Sequence, residues 1–219
     1  MNKQEYFTIE TRYKLPTWEN VTLAKYMQFL KLQKDCPDFF KEKMEVPLNR
    51  YESEGLPYIA KFIQFWTDCP SSELWQAEKE EVEKLYHLIS KRLEIDSKLF
   101  PFHKMVEFGG KKFFLGEKLM KRRTLGEYAQ TAQLEQLSQE QAGRTEFALP
   151  KILCILLQEE EQKYDPESTD LYKNESLFLS MPMNLVWMVV FFCKKRSSIL
   201  ERITRFYTSR QQAHNVPQG

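Results

Sequence analysis

The chain holds three histidines, His87, His103 and His214, and four cysteines, Cys36, Cys69, Cys154 and Cys193. Imidazole and thiolate are the groups that most often ligate zinc or attack a carbonyl. Both tasks need partners at set spacing, and none of these residues has one. There is no His-Glu-x-x-His, no Cys-x-x-Cys and no Gly-x-Ser-x-Gly. Gly109-Gly110-Lys111-Lys112 places lysine after glycine but lacks the six-residue frame and the Ser or Thr of a phosphate loop. Carboxylates are plentiful, as in Glu80-Glu81 and Glu159-Glu160-Glu161. On a helix, adjacent side chains diverge by about 100°, so such runs do not converge on one reacting centre. The expectation is a protein that binds rather than reacts, with no metal and no cofactor. His87 reads as a structural histidine on a helix. The cysteines read as free thiols in a reducing cell.

Lys plus Arg total 32 and Asp plus Glu 31, so the chain lacks the basic excess of a dedicated nucleic-acid binder. Glycine occurs only 7 times, which lowers the prior for a backbone phosphate cradle. The polar start at Met1-Asn2-Lys3-Gln4-Glu5 reads as no secretory signal. The most apolar run, residues 181–193, falls short of the roughly 20 residues a membrane span needs, and reads as a buried helix.

Periodicity then supplies the elements. Short strands are expected at Tyr6-Phe7-Thr8-Ile9 and Arg12-Tyr13-Lys14-Leu15. Thr22 caps a helix to about residue 34, with Leu23, Tyr26, Met27 and Leu30 at helical spacing. Residues 56–66 form a second helix with Pro57 in its first turn. A third runs from an N-cap at Ser72 to about residue 93, its middle a charged solvent face. Residues 95–103 are a junction. Met105 to Phe108, a Gly-Gly turn and Lys111 to Leu115 read as a β-hairpin. Thr124 and Glu127 make a capping-box pattern opening a helix to about residue 138. Further helices are expected over 149–160, 165–179, 182–194 and 198–210. The fold class is mainly α with small β-hairpins (α+β). Its units are 1–95, 104–210 and a polar tail, 211–219.

Thr-Leu-x-x-Tyr occurs at Thr22 to Tyr26 and again at Thr124 to Tyr128. Each copy is followed by Leu-Pro-x-Ile, at Leu56 to Ile59 and Leu149 to Ile152. A duplication of strand pair and helices would explain this, and so would capping and core packing alone; the spacing differs between the copies. Aromatic residues are 14% of the chain, more than its core is expected to hold, so exposed patches should remain. Trp18, Phe29, Phe39, Phe40, Phe62, Phe65, Trp66, Trp75, Phe191 and Phe192 are the candidates. Two basic clusters, Lys121-Arg122-Arg123 and Lys194-Lys195-Arg196 with Arg202, Arg205 and Arg210, read as helix ends, solvated faces or partner contacts. The candidate interaction residues are Phe108, Phe113 and Phe114 of the hairpin, Lys121, Arg122 and Arg123, and Arg202, Arg205 and Phe206.

Residues 108–192 resemble small tail-associated proteins of bacteriophages, including tail assembly chaperones and baseplate or neck components. Thr124-Leu125-Gly126-Glu127-Tyr128, Leu149-Pro150-Lys151-Ile152-Leu153 and Tyr164-Asp165 carry the resemblance. The Lys- and Phe-rich, Gly-poor style is similar to proteins of the crAss-like phages of Bacteroides-type bacteria. The resemblance implies a non-enzymatic component of the portal-tail assembly: a neck or tail ring, made in the host cytoplasm and kept in the virion. Its partners would be copies of itself, in a homo-oligomeric ring, and other phage tail or portal proteins. An assembly chaperone absent from the mature particle is the nearest alternative. A helical nucleic-acid-associated regulator using residues 194–210 is another, with DNA contact not favoured.

Overall fold

A computed structural model describes residues 12–42, 44–101, 103, 105–114, 125–142, 145–159, 168 and 170–192. The protein is mainly helical with one small antiparallel sheet. It divides into two compact units, Met1–Ile95 and Asp96–Gly219.

In the first unit, helix α1 spans Leu23–Leu32. Thr22 is extended, and its hydroxyl accepts the Lys25 amide at 3.2 Å, satisfying one donor of the open first turn. Leu23, Tyr26, Phe29 and Leu30 bury one face. A 3₁₀ turn at Gln33–Asp35 ends at Cys36, which is extended, as a residue before proline must usually be. Helix α2, Asp38–Glu42, follows. A helical run then starts at Leu48–Arg50, widens into a π turn at Tyr51–Gly55 and continues as α3, Leu56–Thr67. Asp68 closes α3 in the left-handed conformation at φ 56°, its amide returning to the Gln64 carbonyl.

The single helix expected from Ser72 to residue 93 is two helices, α4 (Ser71–Gln76) and α5 (Lys79–Arg92), parted by extended Ala77 and Glu78. Pro70, not Ser72, precedes the first turn. The break has a packing reason. An unbroken helix would turn Glu78 and Glu81 toward the face of Leu74 and Leu85. Rephasing at residue 78 instead buries Val82, Leu85 and Ile89. Arg12 to Leu15 form no strand: residues 13–17 are irregular, and the first unit has no strand among its described residues. Arg12 and Tyr13 spend their side chains on Glu73, Arg12 Nη1 lying 2.6 Å from its Oε1 and the Tyr13 hydroxyl donating to its Oε2. The 6–9 strand lies outside the described residues.

The core of this unit is aromatic. Phe29 of α1 packs on Phe62, Phe65 and Trp66 of α3, with centroids 5.7, 6.0 and 4.9 Å away. Phe62 meets Tyr86 of α5 edge-on at 4.9 Å. Most of the surplus aromatics are thus absorbed: Trp18, Phe29, Phe39, Phe62 and Trp66 are buried, and Phe40, Phe65, Phe191 and Phe192 half-buried. Trp75 remains 62% exposed.

In the second unit, β1 (Met105–Phe108) and β2 (Lys111–Phe114) form the expected hairpin, Phe108 opposite Lys111. Gly109 and Gly110 both have positive φ, 59° and 71°, which glycine adopts at little cost. Helix α6 spans Leu125–Ala142, continuing past the expected end near residue 138. Its Thr124 cap lies outside the described residues. Helix α7 spans Leu149–Leu156. Both Leu-Pro-x-Ile motifs place proline at the start of a helix, α3 and α7; at Pro57 the missing amide falls where the π turn already interrupts the i→i−4 pattern of the run from Leu48. The helix expected to reach residue 160 stops at Leu156; Leu157 turns extended and Gln158–Glu159 add a third strand, β3, to β2. Strand addition satisfies the edge amides and carbonyls that β2 would otherwise leave open. The helix expected over 165–179 is, where described, a turn at 170–174 followed by α8, Glu175–Leu179. The final described helix, α9, covers residues 183–192. Met181, Met183, Val186 and Val189 are fully buried, so the apolar run is a core helix, and no described helix is long and apolar enough to cross a membrane.

The hairpin turn supplies a direct test. A methyl on Gly109 would fall 2.5 Å from Leu177 Cδ1, whereas one on Gly110 meets nothing within 4 Å. Left-handed backbone costs an L-residue about 1–2 kcal/mol. Gly110→Ala should therefore lose about that much stability in urea unfolding. Gly109→Ala should lose more, by the increment needed to push Leu177 aside.

Candidate functional site

A concave surface is built from α2, the stretch that follows it and the π turn. Phe39 and Phe40 lie side by side with centroids 4.8 Å apart. Phe39 turns inward beneath Gly55, where a Cβ would come within 3.3 Å of its ring and 3.1 Å of the Tyr51 ring. Glycine in the π turn therefore lets two aromatic rings meet the helix backbone. π turns recur where a helix must re-aim side chains. Phe40 reaches Tyr58 and Tyr86, at 5.8 and 5.9 Å. The Met44 amide bonds the Phe39 carbonyl at 3.0 Å, folding the chain back over the end of α2. The result is a groove of about 620 Å³ lined by Phe39, Phe40, Met44, Glu45, Val46, Leu48 and Tyr51. Met44 and Leu48, both apolar, are 53% and 62% exposed.

The charges around the groove divide unevenly. Lys41 pairs with Asp38 at 3.1 Å and Arg50 with Glu54 at 3.2 Å. Lys79 stands 5.3 Å over the Tyr51 ring. The Tyr51 hydroxyl donates to Glu83 Oε1 at 2.7 Å, and burial, reinforced by that carboxylate, holds its pKa far above the usual phenol range. Glu42, Glu45 and Glu52 are exposed and pair with no cation among the described residues.

A second polar cluster joins the sheet of the other unit to the 170–174 turn. Glu159 Oε1 accepts from Lys111 Nζ at 2.8 Å and Asn174 Nδ2 at 3.0 Å, with Lys173 Nζ at 3.7 Å. Lys111 also reaches Asn174 Oδ1 at 3.1 Å. Asn174 is buried, and its commitment here explains why residues 170–174 turn rather than continue a helix. Gln158 bonds the buried Glu127 at 3.2 Å, and Gln130 bonds the Tyr172 hydroxyl at 2.8 Å. This cluster clasps the sheet to the turn. Hydrogen bonds from Lys111 and then Asn174 hold Glu159 below the usual carboxylate range, which is wrong for a general base near neutral pH. Nearby, burial pushes the Cys154 thiol up to about 12, which favours its protonated form at neutral pH.

The clasp has a pH signature. Because the folded pKa of Glu159 is depressed, its contribution is complete above the unfolded value, about 4.3, and is lost as pH falls through the lower folded value. Unfolding measured from pH 6 to pH 3 should show wild type losing more stability than Glu159→Gln, with the two curves converging at the acid end.

Of the candidate interaction residues, Phe108 and Phe114 are half-buried on the hairpin. Phe113 is corrected: it is fully buried against Phe178, 5.0 Å between centroids, and belongs to the core rather than to a contact surface. Lys121, Arg122, Arg123, Arg202, Arg205 and Phe206 lie outside the described residues. His87 and His103 are exposed, and no cluster of metal-ligating side chains occurs among the described residues. The groove went unmarked in the sequence reading except through Phe39 and Phe40. Its one further signal is the placement of Met44 and Leu48 around Val46-Pro47, apolar residues in a stretch with no periodicity. Comparison with protein-family models, with curated proteins and with solved structures returns no match to this chain.

Proposed function

We propose that this chain is a non-enzymatic assembly protein that works by packing against other protein chains, with the groove of the first unit as its docking surface. The observation that carries this reading is the aromatic groove rimmed by exposed Met44 and Leu48. Apolar concavities with polar surroundings are where partner side chains anchor. The resemblance of residues 108–192 to phage tail and neck proteins supplies the setting: a portal-tail ring component, partnered by its own copies and by neighbouring virion proteins. A tail assembly chaperone would use the same surface transiently.

Light scattering on the purified chain tests this. The wild type should form a closed oligomer, and Met44→Glu/Leu48→Glu should lower its mass without changing its circular dichroism, since both positions are exposed. Equal masses for the two proteins across a wide concentration range would sink the groove as the assembly surface.

A further inference from the structure

We infer that the occupant of the groove is the basic stretch at residues 194–210 of a second copy of this chain. The inference rests on the docking reading above and names its partner. Two observations converge on it. The groove offers apolar walls beside three carboxylates with no cation partner among the described residues, Glu42, Glu45 and Glu52, while Lys41 and Arg50 are used in local ion pairs. A fitting partner therefore carries a row of apolar side chains bordered by cations. The sequence of this chain contains such a row. Ile199, Leu200, Ile203, Phe206 and Tyr207 fall, at 3.6 residues per turn, within one stripe about 120° wide. At the same spacing Arg202 borders this stripe, Arg205 falls on the opposite side, Arg196 and Arg210 fall within it at its two ends, Lys194 and Lys195 precede it, and Glu201 is the single acid. A volume of about 620 Å³ admits a small set of such anchors, as in recognition of an amphipathic helix by a groove. Supplied by a second copy, the contact is head-to-tail, the kind that closes into rings.

The test uses the full chain and a fluorescently labelled synthetic peptide of residues 194–210. The peptide should bind saturably, and more weakly as salt is raised. Met44→Asn/Leu48→Asn in the chain, which removes apolar contact without adding charge, or Phe206→Glu in the peptide, should each weaken binding at least ~10-fold, the loss of one buried anchor. Glu42→Lys/Glu45→Lys/Glu52→Lys should weaken the native peptide and regain affinity for a peptide carrying Arg202→Glu/Arg205→Glu. In the full chain, Phe206→Glu should reduce the mass by sedimentation as far as the groove variant does. A chain whose assembly is lost in the groove variant but kept in Phe206→Glu, with no peptide binding, overturns this inference and leaves the docking surface intact. A groove variant that changes neither mass nor peptide binding overturns both. A wild-type chain that binds the peptide yet stays monomeric at every concentration overturns the second copy as occupant.

Discussion

Replacing Phe113 with alanine should lower the stability of the second unit by about 3–5 kcal/mol, the usual loss for a large buried aromatic. Phe113 is fully excluded from solvent. It lies in the central strand, opposite Val106 on one side and Glu159 on the other. Its ring meets Phe178 edge-on at 5.0 Å, a geometry worth roughly 0.5–1.5 kcal/mol beyond burial. Removing it leaves a cavity between sheet and α8 that the backbone pairing on both sides prevents from collapsing. Phe114→Ala is the control. Adjacent strand residues face opposite ways, and Phe114 is only half-buried, so its loss should cost far less. Urea unfolding of the two variants decides the matter. A Phe113→Ala chain that keeps its stability but loses association would instead restore Phe113 as a contact residue.

Phe113 also shows where sequence reading runs out. The hairpin was legible because Gly109-Gly110 sits between apolar runs and only a tight turn with positive φ suits such a pair. Which face of the hairpin is buried was not legible. That depends on Phe178 and on β3, whose two residues pair with β2 from more than forty positions away and carry no strand signature of their own. The same contrast recurs in the first unit. Thr22 as a cap and Pro57 in a first turn follow from local backbone chemistry, and both hold. The break at Ala77–Glu78 does not follow, because each side is a good helix former and only the core decides the phase. The groove is the extreme case. It is formed by an irregular stretch, a π turn and a close approach at Gly55, three features without a periodic imprint. Two unlike units, one holding the sheet and the other with no strand among its described residues, also leave the repeated Thr-Leu-x-x-Tyr motif explained by capping and packing at least as well as by duplication.

Phe29→Ala should destabilise the first unit by a similar amount, about 3–5 kcal/mol. Phe29 is the ring through which α1 holds α3, touching Phe62, Phe65 and Trp66. Little else can substitute for it. The Trp66 indole N–H is buried with no acceptor among the described residues, so this cluster is held by shape and dispersion rather than by directional bonds. Lys25 lies 5.6 and 5.8 Å over Phe65 and Trp66, and its ammonium cannot fill the vacated apolar space without giving up its hydration. Phe65→Ala, at a half-buried ring on the edge of the same cluster, should cost clearly less. The units are compact by contact, so the damage should also be local. Hydrogen exchange read by mass spectrometry should show faster exchange throughout α1, α3 and α5 in Phe29→Ala, with β1, β2 and α7 protected as in wild type. Uniform loss of protection across both units would mean that they unfold as one cooperative body.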